Sequence, residues 1–203
     1  MRTIITLSII LPLFIMSCHE EQESKAKPCC SGGTQTESLG ELSGESVYNL
    51  TSEWRSQEDQ ALRLDEFRNK IVIAAMIFTH CESACPRIVA DMKRIEAALT
   101  EVELQEVSFL LLSMDPERDT PAKLTAFAAD HSLGPNWTLV SGSADATMEM
   151  ANVLGVRVKK LEDGGFDHSN IIHVFDREGV ISFQQNGFSV EIEGLVNSLR
   201  KML

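Results

Sequence analysis

The sequence predicts an α/β protein with a central mixed β-sheet flanked by helices. Three observations carry this. Ile71 to Phe78 is an unbroken apolar run, as expected of a strand buried on both faces. A helical pattern opens at Pro86 and continues through Ile88, Met92, Ile95, Ala98 and Leu99. Strand and helix then alternate down the chain until a hairpin and a last amphipathic helix close it.

The first 17 residues read as a targeting segment. Arg2 gives a minimal positive start, and Ile4 to Met16 is apolar but too short to span a bilayer comfortably. The segment ends Ile15-Met16-Ser17-Cys18, which resembles the lipobox of bacterial lipoproteins with Cys18 as the lipid-bearing residue. A plain secretory signal, or a short anchor that contains a cysteine, is the alternative. Either route places the domain on the extracytoplasmic side of a membrane in the bacterial cell envelope. Disulfides persist there, so a working dithiol needs a reductant. Residues 18–46 are polar and aperiodic, the composition of a flexible tether. Within them, Cys29 and Cys30 read three ways: soft metal ligands, disulfide partners of another thiol, or incidental residues.

The domain is expected over residues 47–203. Val47 to Leu50 predicts a short strand, and Ala61 to Phe67 a further strand and turn leading through Asn69-Lys70 into the central strand. The helix from Pro86 to about Leu99 is followed by a second buried strand, Val107 to Met114. Asp115 to Pro121, DPERDTP, is a loop. Its Thr120-Pro121 end suits the N-cap and first turn of a helix over Ala122 to His131. A third strand over Trp137 to Val140 precedes a helix over Ser143 to Leu154, and Val156 to Lys160 predicts an edge strand. Gly164-Gly165 marks a turn before Asp167-His168. Asn170 to Phe175 and Val180 to Gln184 form a hairpin around Arg177-Glu178-Gly179. From Ser189 the pattern is a terminal helix with Ile192, Leu195, Val196 and Leu199 on one face. This order, with two cysteines at the first strand-to-helix junction, specifies a thioredoxin-like fold.

Charge excludes one class of partner. The chain has 18 Lys+Arg against 30 Asp+Glu and no basic cluster, which argues against nucleic-acid binding.

Three residues stand out as a candidate site. Cys81 and Cys85 sit where a buried strand meets a helix N-terminus, and there backbone N–H groups and the helix dipole favour thiolate. On a helix their four-residue spacing puts both on one face. Thioredoxins keep a cis proline in the turn that faces their cysteine pair. This chain has no proline after Pro135, and the corresponding turn carries Asp167-His168. Two thiolates facing an imidazole form an S₂N set that suits Cu(I), while imidazole also accommodates Cu(II). Binding needs both thiols deprotonated and His168 neutral. Asp115, Asp119 and Asp167 are candidates to hydrogen-bond around the ligands, although turn and cap formation explains the first two almost as well. His80 reads as a structural or supporting group and His173 as a packed or edge histidine. His131 ends a helix, where a cation favours the dipole. Met114, Met148 and Met150 read as core.

FTHCESACP, LLSMDPERDTP and FDHSNIIHVFDREG resemble, in the same order, the three signature segments of the Sco/SenC family. The resemblance runs from about Val47 to the C-terminus. It implies a membrane-tethered, thioredoxin-like copper protein. Such proteins deliver copper to the dinuclear copper centre in subunit II of cytochrome c oxidase, or keep its cysteines reduced. Cys81, Cys85 and His168 fall on the family's three copper ligands. Ala74-Ala75-Met76-Ile77 stands where many relatives have an aromatic- and Gly-containing strand end, and Ser52 to Leu64 lacks the usual Asp-Gly hairpin turn.

Copper binding and metallochaperone activity is thus the leading reading, with cytochrome c oxidase subunit II or a related copper enzyme as partner and a thiol reductant protein beside it. Four others compete. Cys81 and Cys85 could form a redox dithiol of a thiol–disulfide reductase, an enzyme activity that can coexist with chaperoning. A peroxidase is a weaker option, because nothing in the sequence distinguishes one cysteine from the other. A copper or redox sensor would carry the same residues, and an inert or structural cysteine pair is the plainest alternative.

Overall fold

The computed structural model describes residues 41–162, 164–188 and 191–203. The expected signal segment, Cys18, Cys29 and Cys30 lie outside them. In chain order the elements are β1 (Trp54–Ser56), β2 (Ala61–Leu62), β3 (Ile71–Ile77), α1 (Ala84–Ala98), α2 (Glu101–Leu104), β4 (Val107–Ser113) and α3 (Pro121–Asp130). There follow β5 (Trp137–Gly142), α4 (Ala144–Leu154), β6 (Val158–Lys160), β7 (Phe166–His168), β8 (Ile171–Phe175), β9 (Ile181–Asn186) and α5 (Ile192–Arg200). Among the described residues, no helix is long and apolar enough to cross a membrane.

The main sheet runs β2-β1-β5-β4-β3-β8-β9. β3, β4 and β5 are parallel, while β8 and β1 pair antiparallel to them, so the sheet is mixed as expected. All seven residues of β3 are buried, which is why that stretch reads as a continuous apolar run without alternation. Ile88, Met92 and Ile95 of α1 and Leu195 and Leu199 of α5 complete the core. The parallel strands β3 and β4 end together, Ile77 beside Ser113, and the cysteine turn and the Asp115–Pro121 loop leave from that edge.

Several local expectations fail for identifiable reasons. Val47–Asn49 is a 3₁₀ turn and not a strand: the Ser46 hydroxyl accepts from the Tyr48 N–H, and Leu50 N–H bonds Val47 O. Val47 and its neighbour Tyr48 are both buried, so no alternation was present to read. The β1–β2 hairpin forms without Asp-Gly because Asp59 itself adopts φ 62°, a conformation Asp tolerates, and ion-pairs with Arg55 at 2.7 Å. α2 was missed, although Thr100 and Glu103 form a reciprocal capping box that the sequence spells as T-x-x-E. Met148 is not core: it is 45% exposed, whereas Met114 and Met150 are buried as expected.

The largest correction concerns residues 156–168. β6 is not an edge strand of the main sheet, and Asp167-His168 is not a turn. β6 and β7 pair with each other as a separate two-stranded ribbon, with Val158 opposite His168 and Lys160 opposite Phe166. Gly164, at φ +83°, makes the turn, and Leu161 and Gly165 close it. The ribbon thus carries His168 on regular structure.

At the far end of the sheet, Gly179 closes the β8–β9 hairpin at φ +80° and accepts from Val47 N–H. A Cβ there would lie 2.5 Å from the Tyr48 ring. Gly179→Ala is therefore expected to cost roughly 1–3 kcal/mol from backbone strain, before any steric overlap. Chemical denaturation should read this loss, with the thiols at the opposite end reacting as in wild type.

Candidate metal centre

Cys81 lies in the turn between β3 and α1, with its N–H bonded to Phe78 O, and Cys85 lies in the first turn of α1. The two thiols do not meet as i and i+4 of one helix. They meet because the turn folds Cys81 back over the helix start, where Cys85 N–H donates to Cys81 Sγ at 3.3 Å. Cys85 Sγ accepts from Phe78 N–H at 3.4 Å and is fully buried, whereas Cys81 is partly exposed.

This asymmetry separates the thiols chemically. The Cys85 thiol beside it, and then the N–H groups of Cys85, Ser83 and Ala84, lower Cys81 from 9.0 to about 4 against the opposing effect of burial. Cys85 moves the other way, raised by its hydrogen bond to Cys81 and by burial. Cys81 is the standing thiolate and Cys85 the proton donor. The sequence offered no basis for this distinction.

His168 arrives from the β6–β7 ribbon. Cys81, Cys85 and His168 each present a ligand atom within 4.8 Å of the others. The His168 Nδ1 contacts Ser169 O at 3.2 Å. A carbonyl only accepts, so Nδ1 carries the proton and Nε2 keeps a free lone pair. Phe78 packs edge-on against His168 at 5.8 Å and against Phe166 at 5.1 Å, fixing the imidazole from the side. Cys81 and His168 border a cleft of about 500 Å³ that also takes in Glu82, Arg87 and Phe188, and Cys85 lies buried behind them. The Arg87 guanidinium lies 4.2 Å above the Phe188 ring. Two thiol sulfurs and one imidazole nitrogen, partly sheltered by aromatic rings, form a soft donor set that fits copper by chemistry.

The loop after β4 holds this arrangement. Asp119 is buried and accepts from Thr79 N–H at 3.1 Å, Thr79 Oγ1–H at 2.6 Å and Ser113 Oγ–H at 2.6 Å. It therefore fixes the turn two residues before Cys81, and capping of α3 falls to Thr120. Buried Asp115 bonds the Arg118 guanidinium, which also donates to Gly164 O in the β6–β7 turn. One loop thus grips both the cysteine turn and the histidine ribbon. Asp167 is exposed on β7 and lines the cleft.

The other described histidines lie outside the thiol cluster. His80 is exposed and sits 3.8 Å from Asp119, in a second group with Asp115 and Asp119. His173 lies on an inner strand and not an edge. It is fully buried, with Nε2 on Leu154 O at 2.9 Å, and burial lowers its pKa. His131 does cap α3, but burial lowers its pKa and it packs on Phe127, against the expected cation.

Fold and site together define a thioredoxin-like protein with a solvent-reachable Cys₂His cluster. The SCO1/SenC family model matches residues 44–203, and the chain belongs to that family. It is 26% identical over 138 residues to the SCO1 protein homolog of Bacillus subtilis, covering 66% of this chain and 71% of the relative. Bradyrhizobium japonicum ScoI, solved with copper bound, superposes with TM-score 0.65 at 24% identity, over 75% of this chain and 97% of that one. BsSco, described as having a disulfide switch and as a member of the Sco family of cytochrome c oxidase assembly proteins, gives TM-score 0.65 at 26% identity, over 74% and 90%.

The thiol asymmetry has a direct readout in the reduced, metal-free chain. Because the Cys81 pKa is depressed, its thiolate persists in the folded chain down to about pH 4, and the stability this contributes is complete only above the ordinary thiol value of 9.0 and is lost progressively as pH falls from there through about 4. Alkylation by iodoacetamide, followed by peptide mapping, should label Cys81 with little change in rate from pH 8 to about 5. Cys85 should stay unlabelled until the protein unfolds. Equal labelling of the two thiols with a midpoint near 9 would contradict this assignment.

Proposed function

We propose that this chain binds copper through Cys81, Cys85 and His168 and delivers it to the dinuclear copper centre of cytochrome c oxidase subunit II or a related copper enzyme. It would work from the extracytoplasmic side of a bacterial membrane, held by a lipid on Cys18. The observation that carries the reading is the convergence of two thiols and one imidazole within 4.8 Å, with Cys81 and His168 lining a cleft. Membership of a family whose relatives include a copper-bound structure and an oxidase assembly protein supports it.

The geometry gives each ligand a task. Cys81 is already a thiolate, so binding displaces the Cys85 proton, and the ion replaces the hydrogen bond between the two sulfurs. His168 offers Nε2 while Ser169 O and Phe78 hold the ring. Cys85 lies at the buried base, and the partly exposed Cys81 and His168 face the cleft. An incoming donor would meet these two outer ligands first, so transfer by stepwise ligand exchange needs no unfolding. When bound, copper would supply the cargo of the transfer and not a reaction centre of its own.

Competition for Cu(I) against a chromogenic chelator tests this reading. Reduced wild type should retain about one ion, and His168→Ala should weaken retention by at least roughly 100-fold, since even loss of a group supporting a ligand costs 10–100-fold. An unchanged affinity in His168→Ala would remove the proposal.

The unequal thiols also favour a second role as a dithiol reductase. The Cys81 thiolate would attack one sulfur of a partner disulfide, releasing the other as a thiolate that takes up a proton. Cys85 would then lose its proton and attack Cys81 Sγ, releasing a reduced partner and leaving a Cys81–Cys85 disulfide. Two electrons pass to the partner, and an external thiol reductant must restore the dithiol. On this route Cys85→Ser should accumulate the mixed disulfide on non-reducing gels, while Cys81→Ser should trap none. Trapping by neither variant would dismiss the exchange role.

A further inference from the structure

Phe166, which packs on Phe78 beside His168, also lines a second cavity of about 210 Å³. Its apolar wall includes Met114, Met148, Val158 and Phe166, and Thr147 of α4 reaches it from below the surface. Thr147 is 2% exposed, and its Oγ1 has no hydrogen-bond partner among the described residues. A buried hydroxyl left in this state is costly unless something arrives to bond it. Met148, by contrast, is 45% exposed at the mouth, beside the exposed Glu117–Lys160 ion pair.

We propose that this cavity is a docking pocket for one tyrosine side chain of a partner protein. Its volume holds one large side chain and not a stretch of chain. Two methionine thioethers and a phenyl ring suit an aromatic ring, since sulfur packs well against ring edges. The unpartnered Thr147 hydroxyl selects a ring that carries a hydroxyl of its own. Asp115 and Glu117 in the wall are each ion-paired, with Arg118 and with Lys160, so the pocket offers no unpaired charge to an ionic side chain. Because Phe166 is common to this pocket and to the metal cleft, a tyrosine seated here would hold its protein beside Cys81 and His168. The pocket belongs to the metal-free chain, so the inference stands apart from the copper reading.

The test uses the reduced, metal-free full chain with ¹³C-methyl-labelled methionines. N-acetyl-tyrosinamide and N-acetyl-phenylalaninamide, which differ by one hydroxyl, are titrated separately while the Met114 and Met148 methyl signals are followed. The tyrosine amide should shift both signals saturably and bind about three- to ten-fold more tightly than the phenylalanine amide, the worth of one hydrogen bond. Thr147→Val, which keeps the side-chain shape, should erase that preference while both amides still bind. Met148→Lys, at the exposed mouth, should weaken both. Absence of saturable shifts at Met114 and Met148 would overturn the inference. Equal binding of the two amides by wild type would also overturn it, assigning the cavity to a plain apolar side chain.

Discussion

The site depends on one buried carboxylate. Asp119 accepts three hydrogen bonds, two from Thr79 and one from Ser113, and so joins the end of β3 to the end of β4. β3 and β4 are neighbouring parallel strands whose chains diverge at this edge, one into α1 and the other into α3. Nothing in a sheet ladder fixes the path of a chain after its last paired residue. The carboxylate does so here, placing the cysteine turn over the start of α1. The neighbouring Asp115 and Arg118 extend the same control to the ribbon that carries His168. The donor set is therefore assembled by a loop that contributes no donor to the thiol–imidazole cluster.

That arrangement reconciles two demands. A metal site is best held in place without the ion, because a collapsed site would cost its reorganisation energy on binding. It must also leave an open route to the ion. Here the inner half of the site is rigid: Cys85 is buried against β3 and bonded by Phe78 N–H. The outer half is accessible, since Cys81 and His168 both face the cleft. The polarisation of the two thiols follows from the same geometry. A sulfur that receives several N–H donors becomes a thiolate, and a neighbour that gives it a hydrogen bond keeps its proton.

Much of this was legible in the sequence, for physical reasons that differ between elements. β3 and β4 announced themselves because burial on both faces leaves few polar positions, none in β3 and two serines in β4. The helix start over Thr120-Pro121 was legible because capping is a local interaction between adjacent residues. Cys81, Cys85 and His168 were identifiable as a set from motif order and residue type. What was hidden was non-local. The pairing of β6 with β7 rests on a Gly164 turn that the sequence marks, but nothing local says that the flanking residues zip together instead of joining the main sheet. The 3₁₀ turn at Val47 and the exposure of Met148 likewise depend on what packs around them. The unequal thiols could not be read from spacing, since a turn and a helix leave Cys81 and Cys85 equally four apart.

The central claim is that two thiol sulfurs of the domain and one imidazole nitrogen together hold copper. X-ray absorption at the copper edge of the Cu(I)-loaded full chain tests it most directly, because it counts the sulfur and nitrogen neighbours of the ion itself. The account predicts a first shell of two sulfurs and one nitrogen, with the imidazole outer-shell scattering lost in His168→Ala. A shell of three or more sulfurs, which would draw in Cys29 or Cys30, or a shell without sulfur, would contradict it.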